Sequence, residues 1–339
     1  MRTLLIVLLF SILTFAQKID ETTSNDFFDN SPIHKLKTNK VFVEGETVSN
    51  GEVNFENLEL RKITIKETTV NEEGKPEFIG AYSYYGYSLF DILNSRLVEK
   101  KNLKEFPPAV DLYVTVENDE GEKVALSWGE LYYPDHLNRV MIAVKVSRII
   151  PSKSKELWPL SEEMKLIVGN DMFTFRNISN PSKITVKSFD KTFPGKKGIS
   201  PIYSKEITVL ENNIETKRIS EIPADCHKVE YPYVFYGRGK GFHGIENFNG
   251  YLLKDFLKPH FKNNIKNLMS GLLVFAAKDA YRCVYTFSEI FNRNDQSEFL
   301  LFDKGEDQNR GRFSLFPTPD FFSDRALRSI RTLHFTTNP

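Results

Sequence analysis

Gly86-Tyr87-Ser88-Leu89-Phe90-Asp91-Ile92-Leu93 returns further along the chain as Gly250-Tyr251-Leu252-Leu253-Lys254-Asp255-Phe256-Leu257. Glycine, tyrosine, leucine, aspartate and the final leucine coincide. In the first copy Ser88 is placed to cap a helix predicted from Leu89 to about Leu97, with Leu89, Ile92, Leu93 and Leu97 on one apolar face. After each copy come an apolar strand, a polar turn and a returning strand: Leu112–Val116 with Lys123–Leu126, then Leu272–Ala276 with Arg282–Tyr285. Each hairpin ends on a capping-box pattern, Ser127-Trp128-Gly129-Glu130 and Thr286-Phe287-Ser288-Glu289, in which the carboxylate is expected to reach back to the cap's own N–H. Val140–Val146 matches Phe299–Phe302, and Ile330–Phe335 is expected to close the sheet.

The pattern reads as four segments. Residues 1–16 form a signal peptide, 17–37 a flexible lead-in, 38–190 a first repeat and 200–339 a second. Arg2 supplies the positive start, and the apolar run from Leu4 to Ala16 is shorter than the roughly 20 residues a membrane span needs. The expectation is an exported protein, periplasmic or extracellular, with no membrane span once the leader is removed. The 339 residues carry 45 Lys+Arg against 45 Asp+Glu, a balance that speaks against nucleic acid as a partner. Cys226 and Cys283 are the two cysteines; a disulfide and two separate thiols are both open readings.

The helix start Gly-x-x-Leu-x-Asp-x-Leu, the strand hairpin, the Ser-x-x-Glu turn and the closing strands resemble the oxidoreductase molybdopterin-binding domain of sulfite oxidase-like proteins. The resemblance implies an α+β fold, with two tandem sulfite oxidase-like molybdopterin-binding-type domains built on mixed, curved β-sheets. It also implies a cysteine thiolate on molybdenum at the end of the strand before the helix. Gly237 stands at that place in the second copy and Thr68 or Thr69 in the first, so neither copy offers the thiolate.

The candidate ligand site is Gly237-Arg238-Gly239-Lys240-Gly241-Phe242-His243-Gly244. Successive N–H groups of a glycine-rich turn form an anion nest, and Arg238, Lys240 and His243 add positive charge. The bland alternative is a long solvated loop. Of the later arginines, Arg310, Arg312, Arg325, Arg328 and Arg331, the last three are spaced for one face of a helical turn. They are either surface groups paired with Asp320 and Asp324, or, through Arg328 and Arg331, the second wall of the anion site. The cofactor-binding set is thus Gly237, Arg238, Gly239, Lys240, Gly241, His243, Arg328 and Arg331.

No histidine pair has zinc-ligand spacing and no Gly-x-Ser-x-Gly elbow occurs, so the sequence assigns no catalytic residue and no metal ligand. Glu130 and Glu289 are accounted for as helix-capping residues. The expected function is that of an exported molybdopterin-oxidoreductase-like protein lacking the metal-binding cysteine, holding a pterin-type or other anionic small ligand. The alternative is a non-catalytic periplasmic binding or assembly protein with a partner protein. Any chemistry would be that of a molybdopterin-dependent oxidoreductase, with a molybdopterin-type cofactor.

Overall fold

The structure, a computed structural model, describes residues 31–309, 311–337 and 339. The expected signal peptide and most of the lead-in lie outside the described residues. Strands dominate, at 44% against 12% helix, and four small sheets are arranged as a four-bladed β-propeller. This corrects the α+β, sulfite oxidase-like expectation, and with it the reading of the chain as an oxidoreductase-family, molybdopterin-binding-like protein. The motifs behind that expectation are real but local. Each specifies a strand running into a single helical turn, and such a turn is compatible with many folds.

The first half runs β1 (His34–Lys35), β2 (Phe42–Gly45), β3 (Gly51–Glu52), β4 (Arg61–Val70), β5 (Pro76–Ser88), α1 (Leu89–Asn94), β6 (Leu112–Asn118), β7 (Lys123–Ser127), α2 (Trp128–Tyr132), β8 (Val140–Arg148), β9 (Lys165–Val168) and β10 (Pro181–Ser188). The second half runs β11 (Ile207–Glu211), β12 (Ile214–Ile219), β13 (Lys228–Gly237), β14 (Gly241–Leu252), α3 (Leu253–Leu257), α4 (Ile265–Ser270), β15 (Leu272–Ala277), β16 (Arg282–Thr286), α5 (Phe287–Phe291), β17 (Phe299–Asp303), β18 (Phe313–Pro317) and β19 (Ile330–Thr336).

Each half contributes two sheets with matching connections. One has the order β3-β2-β10-β6-β7, answered by β12-β11-β19-β15-β16; in both, one strand pair is parallel (β2 with β10, β11 with β19). The other joins β4, β5, β8 and β9, answered by β13, β14, β17 and β18, with β1 added to the free edge of β8 in the first half only. Gly86 and Gly250 hold equivalent places, where β5 meets β8 and β14 meets β17.

Period-two alternation divides the inner strands between two cores. Leu273, Phe275 and Ala277 of β15 enter the large core, together with Leu112, Val114 and Val116 of β6. Leu272, Val274 and Ala276 face the other way, against Tyr113, Ala125, Phe189 and Phe193 of the first half. Both cores draw on both halves. The helices are short because one turn fills the space available. In α1, Ser88 Oγ accepts the Asp91 N–H at 3.0 Å, and Leu89, Ile92 and Leu93 are buried. Leu97 does not extend the apolar face as the spacing predicts; it lies beyond the helix at φ 30 and is 71% exposed.

Gly86 shows how closely β5 and β8 approach. A Cβ there would stand 2.1 Å from the Ile142 carbonyl oxygen and 2.7 Å from the Ala143 Cα, both backbone atoms. Gly239 faces open space. Gly86→Ala is expected to destabilise the protein by about 1–3 kcal/mol through overpacking, and Gly239→Ala by less than about 0.5 kcal/mol. Denaturant midpoints of the two variants check the contrast, and equal midpoints would contradict the close approach.

Candidate functional site

The stretch Gly237–Gly244 is the tip of a hairpin. Gly237 ends β13 opposite Gly241, which opens β14, and Gly244 pairs with Phe235. Residues Arg238, Gly239 and Lys240 make the turn, and the positive φ of Gly241 (71°) closes it. The backbone groups on either side of the turn are laid along a ladder, and the Arg238 N–H in the turn donates to Asp324 Oδ2 at 3.4 Å. Arg238 turns to Asp324, its Nε 3.6 Å from Oδ1, and Lys240 is exposed at the tip.

The three late arginines do not share a helical turn. Arg325 is buried, Arg328 is exposed in the connection after it, and Arg331 lies on β19 in a different sheet, donating to the Pro194 carbonyl at 3.3 Å. Arg310 is outside the described residues. Of the expected set, His243 and Arg328 line one groove and Gly237 lies close to the His243 ring, where a Cβ would stand 3.1 Å from Nε2; Arg238, Gly239, Lys240, Gly241 and Arg331 do not line the groove.

His243 and Arg328 line a groove of about 470 Å³ between the β13–β14 hairpin and the β17–β18 pair. Phe235, Phe248, Phe302 and Phe316 furnish its walls, with Phe248 and Phe316 edge-on at 4.6 Å between centroids. Lys304 completes the cationic rim, its ammonium 4.9 Å from the centre of the Phe302 ring. Among the described residues Glu246 is the one carboxylate lining the groove. Among the described residues neither Arg328 nor Lys304 is in a salt bridge, so both charges are available to a ligand. Lys304 and the four rings were not picked out from sequence. The run of aromatics at alternate positions, Tyr231, Tyr233 and Phe235, marks an aromatic sheet face, but it contains only Phe235 of the four rings and does not show that they converge.

A second cleft, of about 550 Å³, lies between the halves and carries Lys101, Lys187, Lys191 and His334. Several of its polar groups already serve one another. Lys191 Nζ is 3.1 Å and Asn213 Oδ1 2.9 Å from His334 Nε2, and Glu46 accepts from the Ser188 and Lys101 backbone N–H groups. Burial, and then the nearby Lys191, lower the His334 pKa to about 4, so this imidazole is neutral at physiological pH. The groove, with four aromatic walls and Glu246 as its lining carboxylate against Glu46 and Asp190 in the cleft, is the better ligand site among the described residues.

The capping boxes hold a further surprise. Ser127 Oγ accepts the Glu130 N–H at 2.9 Å, and Thr286 Oγ1 accepts that of Glu289 at 3.1 Å, as the pattern requires. The carboxylates do not reach back. Thr286 instead donates across the molecule to Glu130 (2.9 Å), and Ser127 to Glu289 (2.5 Å). Arg176 holds Glu130 at 2.7 Å and Asp171 through two bonds; Arg325 holds Glu289 at 2.7 Å and Asp320 through two bonds. All six charged groups are buried. The sequence signal for them was a second repeat, Asp171-Met172-Phe173-Thr174-Phe175-Arg176 against Asp320-Phe321-Phe322-Ser323-Asp324-Arg325.

The residues do not fit a molybdopterin-type cofactor bound through sulfur. The Cys226 and Cys283 thiols are free, and both are buried. Burial, with Asp255 and Asp225 nearby, raises Cys226 to about 11, which holds it as the thiol. Among the described residues no helix is long and apolar enough to cross a membrane. In comparisons with known proteins, no family model matches the chain and no curated protein matches it.

Two guanidiniums face four carboxylates, an excess of negative charge that favours protonation of the buried cluster. Burial raises the Glu130 pKa to about 8, opposed by Arg176 and reinforced by Glu289. Because the native state binds this proton more tightly than the unfolded chain, its stabilising contribution is complete below the ordinary carboxyl range and is lost as pH rises through about 8. Wild-type stability is expected to fall by up to about 1.4 kcal/mol per pH unit over that window. Glu130→Gln, which mimics the protonated group, is expected to flatten the slope. Urea unfolding of both proteins from acid to mildly alkaline pH measures it; parallel curves would dismiss the retained proton.

Proposed function

We propose that the protein is a binding protein that receives the anionic group of a ligand in the groove between the β13–β14 hairpin and the β17–β18 pair. The observation that carries this reading is the placement of Arg328, Lys304 and His243 on the rim of an aromatic-walled groove with Glu246 as the only opposing carboxylate. The rings supply apolar area and faces for stacking, and the rim supplies charge at the groove's edge. An anion bound there exchanges water for charge-assisted hydrogen bonds without having to displace an internal salt bridge. The N-terminal targeting pattern makes an exported setting part of the same proposal.

Arg328→Ala and Lys304→Ala are each expected to weaken binding of citrate or a benzoate-type aromatic carboxylate by roughly tenfold, about 1.4 kcal/mol, while leaving the thermal midpoint unchanged. Added salt is expected to weaken the wild-type protein in the same direction. Isothermal titration supplies the affinities. Arg331→Ala serves as the control outside the groove, and an equal loss there would remove the groove from the proposal.

A further inference from the structure

The two halves differ most where the groove lies. In the first half β8 runs on to Arg148, and its later residues pair with β5 through Tyr85–Lys145, Tyr84–Val146, Ser83–Ser147 and Tyr82–Arg148. In the second half β14 pairs with β17 only through Tyr251–Leu301 and Leu252–Leu300. The strand β17 ends at Asp303, whose Oδ1 accepts the Gly305 N–H at 2.9 Å, and Gly305 at φ 60 turns the chain aside. The β14 edge from Gly241 to Asn249 therefore has no backbone partner among the described residues on the side away from β13.

The sheet face beside that edge differs in the same way. In the first half Tyr82, Tyr84, Met141, Ala143 and Ile167 are covered by Leu36, Trp158 and Leu160. Equivalent places in the second half, fixed by the pairing of Gly86 with β8 and of β14 with β17, are held by Glu246, Phe248, Leu300, Phe302 and Phe316. No segment corresponds to 149–164, because only the short connection 304–312 joins β17 to β18; Leu300 and Phe316 are buried all the same, whereas Phe248 and Phe302 stay partly exposed and Glu246 exposed. One strand and its cover are missing from an otherwise repeated design, and the gap is rimmed with positive charge.

We infer that the groove accepts an extended, acidic segment of a partner polypeptide, which adds to the β14 edge in the place that Lys145–Arg148 fill in the first half. This rests on the reading of the groove as an anion-binding site and specifies its occupant. Edge addition supplies main-chain hydrogen bonds along Gly241–Asn249. Alternate side chains then fall on the aromatic wall, and carboxylates reach Lys304, Arg328 and His243. Selectivity follows from charge, since the segment that fills this place in the first half carries Lys145 and Arg148 and would be repelled by the groove's rim.

The test uses the full mature chain and a labelled, capped peptide alternating valine with aspartate, read by fluorescence anisotropy. The expected result is saturable binding that weakens about tenfold or more when alternate peptide nitrogens are methylated, and weakens similarly in Arg328→Ala. Amide hydrogen exchange is expected to slow in residues 242–249 with the peptide and not with citrate. A peptide of residues 143–150 of this chain, being basic, is expected not to bind. Equal binding of methylated and unmethylated peptide would overturn strand addition. Citrate binding with no peptide binding would overturn this inference and leave the proposed function standing; failure of both ligands would sink both.

Discussion

The architecture turns on a crossed set of hydrogen bonds at the centre of the molecule. Each capping hydroxyl does two things at once. Ser127 ends β7 by accepting the Glu130 N–H, and sends its own proton to Glu289 in the other half. Thr286 does the converse with Glu289 and Glu130. Behind each glutamate stands an arginine of the same half, fixed in turn by an aspartate five positions before it. Burying so many charges brings little net stability, because desolvation consumes most of what the contacts return. What the cluster imposes is registry: a shift of one half against the other would strand a carboxylate or a guanidinium without a partner, at a cost of about 3–5 kcal/mol.

That constraint explains why the repeated halves behave as one body. The strands carrying the caps, β7 and β16, are buried on both faces, and their side chains feed cores shared between the halves. Arg282 adds an unrepeated link, its Nε 3.1 Å from Asp111 and its Nη1 2.9 Å from Glu105. A wholly apolar seam would tolerate sliding. Directional bonds between buried polar groups do not, and they hold the sheets in a fixed relation from which the second-half hairpin can project.

Much of the local structure was legible in the sequence, and for clear reasons. Apolar runs broken by polar turns mark the strands at Leu112, Lys123, Leu272, Arg282 and Ile330, and Pro232 falls in β13, an edge strand of its sheet, where proline is tolerated. Higher-level readings failed where one local signal fits several global answers. A capping box tells where a turn starts, but nothing in Ser-x-x-Glu says that the glutamate will look across to a second copy. Three arginines at a spacing of three suggest a helical face, yet Ile330, Leu333 and Phe335 follow the strand pattern of β19 and take Arg331 with them. The glycines of Gly237–Gly244 suggest a loop, whereas they serve a tight hairpin and a bulge. Of the groove, His243 and Arg328 could be named from charge. Lys304 and the rings could not, because their convergence depends on where β17 stops.

The point at which β17 stops is also where the two copies diverge in purpose. A repeated fold supplies two equivalent sheet faces, and a stable protein must cover any broad apolar face or give it a use. In the first half the long connection brings Trp158 and Leu160 over Tyr82 and Tyr84, with the Tyr82 hydroxyl donating to the Pro159 carbonyl at 2.6 Å. In the second half the same face is left with four phenylalanines, a free strand edge and the side chains of Arg328, Lys304 and His243. An open edge beside apolar rings invites self-association, and natural sheets guard such edges with positive charge and proline. Arg328 and Lys304 stand beside the open side of β14, and Pro232 lies in β13, the edge strand on its other side. On the strand-addition proposal, the charges that would repel another copy of this basic-rimmed groove are the ones that would attract an acidic strand, so protection against the wrong partner and selection of the right one would rest on one set of side chains.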